Sequence, residues 1–271
     1  MTRLIKGNRK GRLDRLLEVD DPVFDAEETP EETNHETLLF AKDDGLYVWR
    51  KIATRPTKIV DTPDYHFIQI LPDVRDENFF SLLDSKNRLS NFYVDGNHLK
   101  LETAKSILTT VTAICSYNNS MAMAGLWNDA MQVLWNNDEG ITKTIVEKRV
   151  NCLCGHEGKL YAGFDNGIIY DCREKTPLDF DVETPINALY SFNGQLYAAC
   201  GPVINPVFES KLIEIKTAKG NVLGLGSFDN KLIDCGDYGI GNLGLSFLGN
   251  NDPVYAVCSA SPSIYDKRLE E

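Results

Sequence analysis

The sequence predicts an all-β chain wound into a β-propeller, with seven four-stranded antiparallel blades as the leading count and six as the alternative. Three observations carry that expectation. Segments of similar pattern recur every 32 to 39 residues, the spacing at which propeller blades repeat. A small residue stands at one fixed place in each copy. Turns rich in Asn, Asp and Gly recur at the same corners.

The plan of one copy is clearest in residues 150–171, VNCLCGHEGKLYAGFDNGIIYD. Two apolar runs, 150–154 and 159–163, flank the turn Gly155-His156-Glu157-Gly158, and a second turn, Asp165-Asn166-Gly167, leads into residues 168–170. This is a three-stranded meander. Taking the first residue of each inner strand as origin gives Phe79, Val111, Val150, Ile186, Val222 and Val254. Two residues on stand Ser81, Ala113, Cys152, Ala188, Gly224 and Ala256, all small. Three on stand Leu82, Ile114, Leu153, Leu189, Leu225 and Val257, all apolar, as are Leu89, Met121, Leu160, Leu196, Leu232 and Ile264 ten residues on. Side chains alternate between the faces of a strand, so origin and small position share one face while the third position looks the other way. Both faces are apolar, which fits sheets stacked radially between neighbours and not a sandwich with one wet face.

Residues 37–50, TLLFAKDDGLYVWR, form a hairpin without the small position, and residues 65–71 resemble an outer strand ahead of Phe79. Read together they make a divergent first blade and seven origins. A ring must close, because an open one leaves a bare sheet edge. N-terminal strands, residues 15–19 and 22–24, are expected to complete the last blade. In the six-blade count, residues 37–50 complete the Val254 blade themselves and residues 65–71 are an extra strand.

Residues 111–135, VTAICSYNNSMAMAGLWNDAMQVLW, resemble the WD40-like propellers in their inner strand, turn, second strand, Asp-containing turn and third strand ending in Trp. The resemblance runs over residues 79–266. It departs from the family in having no Trp-Asp dipeptide: Trp135 precedes Asn136, and Tyr170-Asp171 and Tyr265-Asp266 stand nearest that place. The Gly-His signature before the inner strand is also missing. What the resemblance implies is a rigid platform for binding proteins, with no catalytic residues to carry over.

Composition narrows the function classes. With 42% hydrophobic and 25% charged residues the chain is ordinary for a globular protein. No apolar run reaches the length of a membrane-spanning helix, and no signal-peptide pattern opens the sequence. Seven cysteines, an odd number set within apolar runs, read as buried thiols in a reducing compartment. The expected location is therefore cytoplasmic, or nuclear in a eukaryote. A net charge of -12 disfavours nucleic acid and anionic membranes. The exception is residues 1–14, a basic arm carrying Arg3, Lys6, Arg9, Lys10 and Arg12, expected to precede a single propeller domain over residues 15–271.

The candidate binding residues lie where second strands turn into third strands: Asp95, Trp127, Asn128, Asp129, Asp165, Asn166, Asp237 and Tyr238. Four aspartates in a ring, with Trp127 and Tyr238 as aromatic anchors, would form an acidic rim for a basic peptide. The simpler reading is that Asp is there for the turn. Cys152, Cys154 and His156 alternate along one strand, as a metal clip would require, but the two cysteines align with small buried positions in other copies and no fourth ligand is evident. No metal, cofactor or catalytic residue is assigned. The expected function is a non-catalytic interaction scaffold, monomeric or part of a complex, whose partner is a protein or peptide. The alternative is a propeller enzyme of hydrolase or lyase type with its site at the axial mouth.

Overall fold

A computed structural model of the chain describes residues 37–50, 55–62, 64–73, 76, 79–95, 98–137, 140–208, 215–216, 220–242, 245–246 and 252–260. These hold six antiparallel sheets of four strands each. The first strands of the six sheets are Ala256–Ala260, Phe67–Pro72, Thr110–Tyr117, Val150–His156, Ile186–Phe192 and Val222–Phe228. Each neighbours the next and the last neighbours the first, so they enclose a hub. The molecule is a six-bladed β-propeller, and the leading count of seven is corrected to the alternative of six.

Blade 1 explains the miscount. Its inner strand, Ala256–Ala260, pairs with Thr37–Lys42, which pairs in turn with Gly45–Arg50 and then Thr57–Asp61. The ring therefore closes by joining strands more than two hundred residues apart in sequence, with residues 37–50 completing the Val254 repeat. The expected closing strands at 15–19 and 22–24, and the Ile264 strand, lie outside the described residues. A second correction concerns blade 2, where residues 67–72 are the inner strand and Phe79–Asp84 is the second. Phe79 is thus not an origin, and Ser81 is not in the inner ring.

The two-sided apolar strands have a direct cause in packing. Among the described residues, one buried apolar cluster fills each of the six gaps between blades. Trp135 and Val133 of blade 3 meet Leu153 and Phe164 of blade 4, for example, while Leu134 on the opposite face packs toward Leu83 and Leu89 of blade 2. Burial of such side chains, at about 1.5–3 kcal/mol each, holds neighbouring blades together.

The small position has a cause as well. Five inner strands carry a β-bulge immediately before it, between Phe67 and Gln69, Val111 and Ala113, Val150 and Cys152, Ile186 and Ala188, and Val222 and Gly224. The small residue faces a second small residue, after the bulge in Ala113 with Ala124, Cys152 with Gly163, Ala188 with Ala199 and Gly224 with Cys235, and without one in Ala256 with Ala41. Blade 2 is the exception, placing Gln69 opposite Leu83. Its amide lies in the hub, accepting from Ile114 N at 2.8 Å and donating to Asn151 O at 3.2 Å. One side chain so ties blade 2 to blades 3 and 4.

Candidate functional site

The end of the propeller where second strands turn into third strands is called the upper face here; first-to-second turns lie on the lower face. In blade 3 the upper corner is a two-residue hairpin turn with Trp127 paired to Ala130. Asn128 and Asp129 have φ of 50° and 60°, the left-handed pair that a type I′ turn demands and that Asn and Asp tolerate best. Both side chains are exposed. Trp127 is half-buried against the core between blades 2 and 3. The ammonium of Lys143 lies 4.5 Å from its ring centroid, a cation–π contact.

In blade 4 Asp165 and Asn166 are exposed, and Gly167 has φ +85° with Val182 O where a Cβ would stand. In blade 6 Asp237 is exposed, whereas Tyr238 is 8% exposed. Its hydroxyl donates to the Oδ2 of Asp234, a carboxylate with no exposed surface. Tyr238 therefore stands beneath the rim as part of its support. Asp95 is placed elsewhere: it ends the third strand of blade 2, paired with His98 at the start of the fourth, on the lower face. The upper face thus gathers Trp127, Asn128, Asp129, Asp165, Asn166 and Asp237.

Sequence reasoning missed the corners of blades 1 and 2. Asp43 accepts from Tyr255 Oη at 3.2 Å and pairs with His66 Nδ1 at 2.9 Å, and the His66 and Tyr255 ring centroids are 3.9 Å apart. Burial and the neighbouring Asp43 push the Tyr255 phenol above its ordinary pKa. Lys58 reaches Asp44 at 2.7 Å and Asp61 at 2.8 Å; its hydrogen bond is the main reason the Asp44 carboxyl sits below its usual range. Lys42 pairs with Asp252 at 2.7 Å. The signal was present as Lys42-Asp43-Asp44, but with Thr37 read as the opening of a separate blade that turn was not aligned with the others.

The two sides of the upper face differ in charge pairing. Over blades 1 and 2, Asp44, Asp61, Asp84 and Asp252 pair with Lys or Arg and Asp43 with His66, while exposed Asp64 forms no ion pair with a described residue. Over blades 4 to 6, the described loop residues 165–167, 182–185, 201–202, 220–221 and 237–238 carry Asp165, Glu183 and Asp237, all exposed, and no Lys or Arg, while 146–149, which enters blade 4, carries exposed Lys148 and Arg149 beside Glu147. None of Asp165, Glu183 and Asp237 forms an ion pair with a described residue.

Cys152, Cys154 and His156 do share one face of the inner strand of blade 4, and blade 5 fills it. The Cys152 thiol donates to Ile186 O at 3.7 Å, and His156 Nδ1 lies 2.9 Å from Ser191 Oγ with its ring stacked on Phe208. Cys152 and Cys154 join a buried apolar cluster of the two blades. Burial pushes both thiols up, Cys154 to about 12, so neither offers a thiolate near neutral pH.

No family model matches the sequence, and no curated protein matches it. Solved structures do. The extracellular domain of BT4673 from B. thetaiotaomicron, in structures that describe it as a one-component and as a hybrid two-component system, is similar at a TM-score of 0.52. The identities are 13% and 14%, with 76% of this chain covered. The likeness is one of fold. This chain spans 31% and 30% of those two chains. The WD40 β-propeller domain of Doa1 also matches, at a TM-score of 0.47 and 11% identity, over 66% of each chain.

Proposed function

We propose that the protein is a non-catalytic interaction platform working inside the cell, and that its upper face receives a basic segment of a protein partner. The observation that carries this reading is that Asp165, Glu183 and Asp237 stand exposed on the corners of blades 4 to 6 and form no ion pair with a described residue. A fixed arrangement of like charge steers an oppositely charged segment and fixes its register. Seven unpaired, buried cysteines support a reducing compartment.

The test is to recover partners from native extract and measure their affinity for Asp129→Asn/Asp165→Asn/Asp237→Asn, which keeps the turn chemistry and removes the charge. The expected result is a loss of about tenfold or more and a weaker dependence on salt. Unchanged affinity overturns the rim. Thermal-shift screening with metabolites addresses the non-catalytic half of the reading: stabilisation accompanied by turnover of the bound compound refutes it.

A further inference from the structure

On the lower face a cleft of about 370 Å³ opens between blades 3 and 4. Tyr117 and Trp135, both nearly buried, are part of its lining, with Asn118 and Thr142 on the blade 3 side and Arg173 and Lys175 on the blade 4 side. Lys143 lines it too, but its ammonium is engaged over Trp127 on the other face of blade 3. No carboxylate-bearing residue is among the described residues that line the cleft. Neither Arg173 nor Lys175 forms an ion pair with a described residue. On a chain of net charge -12, two uncompensated cations facing one polar cleft are out of keeping with the average surface.

The cations are held in place. Gly158 O accepts from Tyr117 Oη at 2.9 Å and from Arg173 Nη1 at 3.1 Å, so one carbonyl pins both walls and leaves the remaining guanidinium donors for other use. The loop bearing Arg173 and Lys175 is fixed by the nearly buried Asp171, whose Oδ1 accepts from the backbone N–H groups of Arg173 and Glu174 at 3.0 Å each. Lys175 has φ +57°, a conformation that Gly or Asn would take at less cost.

We propose that this cleft binds a phosphoryl group, free or as a monoester. The Arg173 fork suits two oxygens of a tetrahedral dianion, Lys175 supplies a point charge, and Asn118 and Thr142 supply neutral donors. The site is independent of the upper-face partner. Isothermal titration at low salt with inorganic phosphate and with phenyl phosphate tests it, benzoate serving as the monoanionic control. Both phosphoryl probes are expected to bind more tightly than benzoate; the tighter of the two distinguishes a free anion from an ester. Arg173→Gln and Lys175→Gly should each weaken binding about tenfold, the loss of one charge-assisted contact. Lys175→Gly keeps the fold, because Gly takes the left-handed conformation without steric cost, and its melting temperature checks that. Absence of binding by the native protein, or equal binding by both variants, overturns the proposal.

Discussion

At Gly224 a methyl group would come within 2.8 Å of the Cys235 sulfur and no closer than 3.6 Å to anything else. The facing pair in blade 6 thus divides a fixed volume as Gly and Cys, blade 4 divides it as Cys152 and Gly163, and blades 1, 3 and 5 as Ala and Ala. Gly224→Ala should cost about 1–3 kcal/mol as an overpacked site. Adding Cys235→Ala, which reproduces the Ala–Ala pair, should restore roughly 1 kcal/mol or more as a coupling between touching residues. Urea unfolding of the two single variants and the double variant measures it, and additive effects contradict the account. The same rescue should fail at Gly163, where a methyl would also strike Ile186 Cγ2 at 2.6 Å. The sequence displays a small residue in every inner strand but that of blade 2, yet not that its partner compensates it, because the partner, eleven positions on in blades 3 to 6 and at Ala41 for Ala256, is identified only by the register.

The thiols give a second residue-scale expectation. Burial raises Cys154 and Cys200 from the ordinary 9.0 to about 12, and the other five also rise. A raised folded pKa means the native state keeps protons that the unfolded chain sheds. This contribution to stability is fully present below pH 9.0 and is lost as pH climbs from 9.0 toward about 12. The melting temperature should be level between pH 7 and 8 and fall above about pH 9, and a thiol reagent at pH 8 should label the native protein only after denaturant is added.

Among the elements, the upper corner of blade 2 depends most on a single side chain. Asp84, with no exposed surface, accepts from Lys86 N at 2.9 Å, Arg88 N at 2.8 Å and Arg88 Nε at 2.5 Å. Arg88 continues to Asp64 O at 2.6 Å and lies 4.3 Å from the Tyr65 ring centroid, stapling this corner to the loop that enters the blade. Asp84→Ala should destabilise by about 2–4 kcal/mol, since it leaves two backbone donors and the Arg88 Nε without their acceptor. Arg88→Ala should cost less, because the guanidinium is partly solvated. Chemical denaturation ranks them, and the reverse order contradicts the argument. This blade is also where the repeat was misplaced. Phe79-Phe80-Ser81-Leu82 imitates the origin and small position of an inner strand, whereas the true inner strand carries Gln69 where the others are small. A residue recruited to cross the hub breaks the very pattern by which its strand would be found. The other inner strands, with both faces apolar, were legible because each must fill two gaps at once.

For the whole molecule, the closing blade sets cooperativity. Removing residues 253–271 would take away Ala256–Ala260, bare the Thr37–Lys42 edge and strip Val254, Val257 and Cys258 from the clusters on either side of blade 1. The shortened chain should lose its single sharp calorimetric transition and associate through the open edge, as sedimentation would detect; a monomer with an unchanged transition contradicts the closure. Nothing local in the sequence announces this pairing, since strands so far apart share no turn. The candidate rim was legible in part for the opposite reason: its Asp and Asn residues sit in tight turns, Asn128 and Asp129 in the left-handed conformation themselves and Asp165 and Asn166 ahead of the left-handed Gly167. Their uneven neutralisation was not, because Lys42, Lys58 and Arg88 reach their partners across loops and strands that the linear order separates.

Gln69 has one more implication. An amide that joins three blades inside the hub ties their inner strands together, and displacing it would forfeit two hydrogen bonds, each worth about 0.5–1.5 kcal/mol. Gln69→Leu, which keeps the volume and removes both bonds, should therefore loosen the junction of blades 2, 3 and 4 ahead of the rest of the ring, with faster amide exchange at Ile114 as its signature.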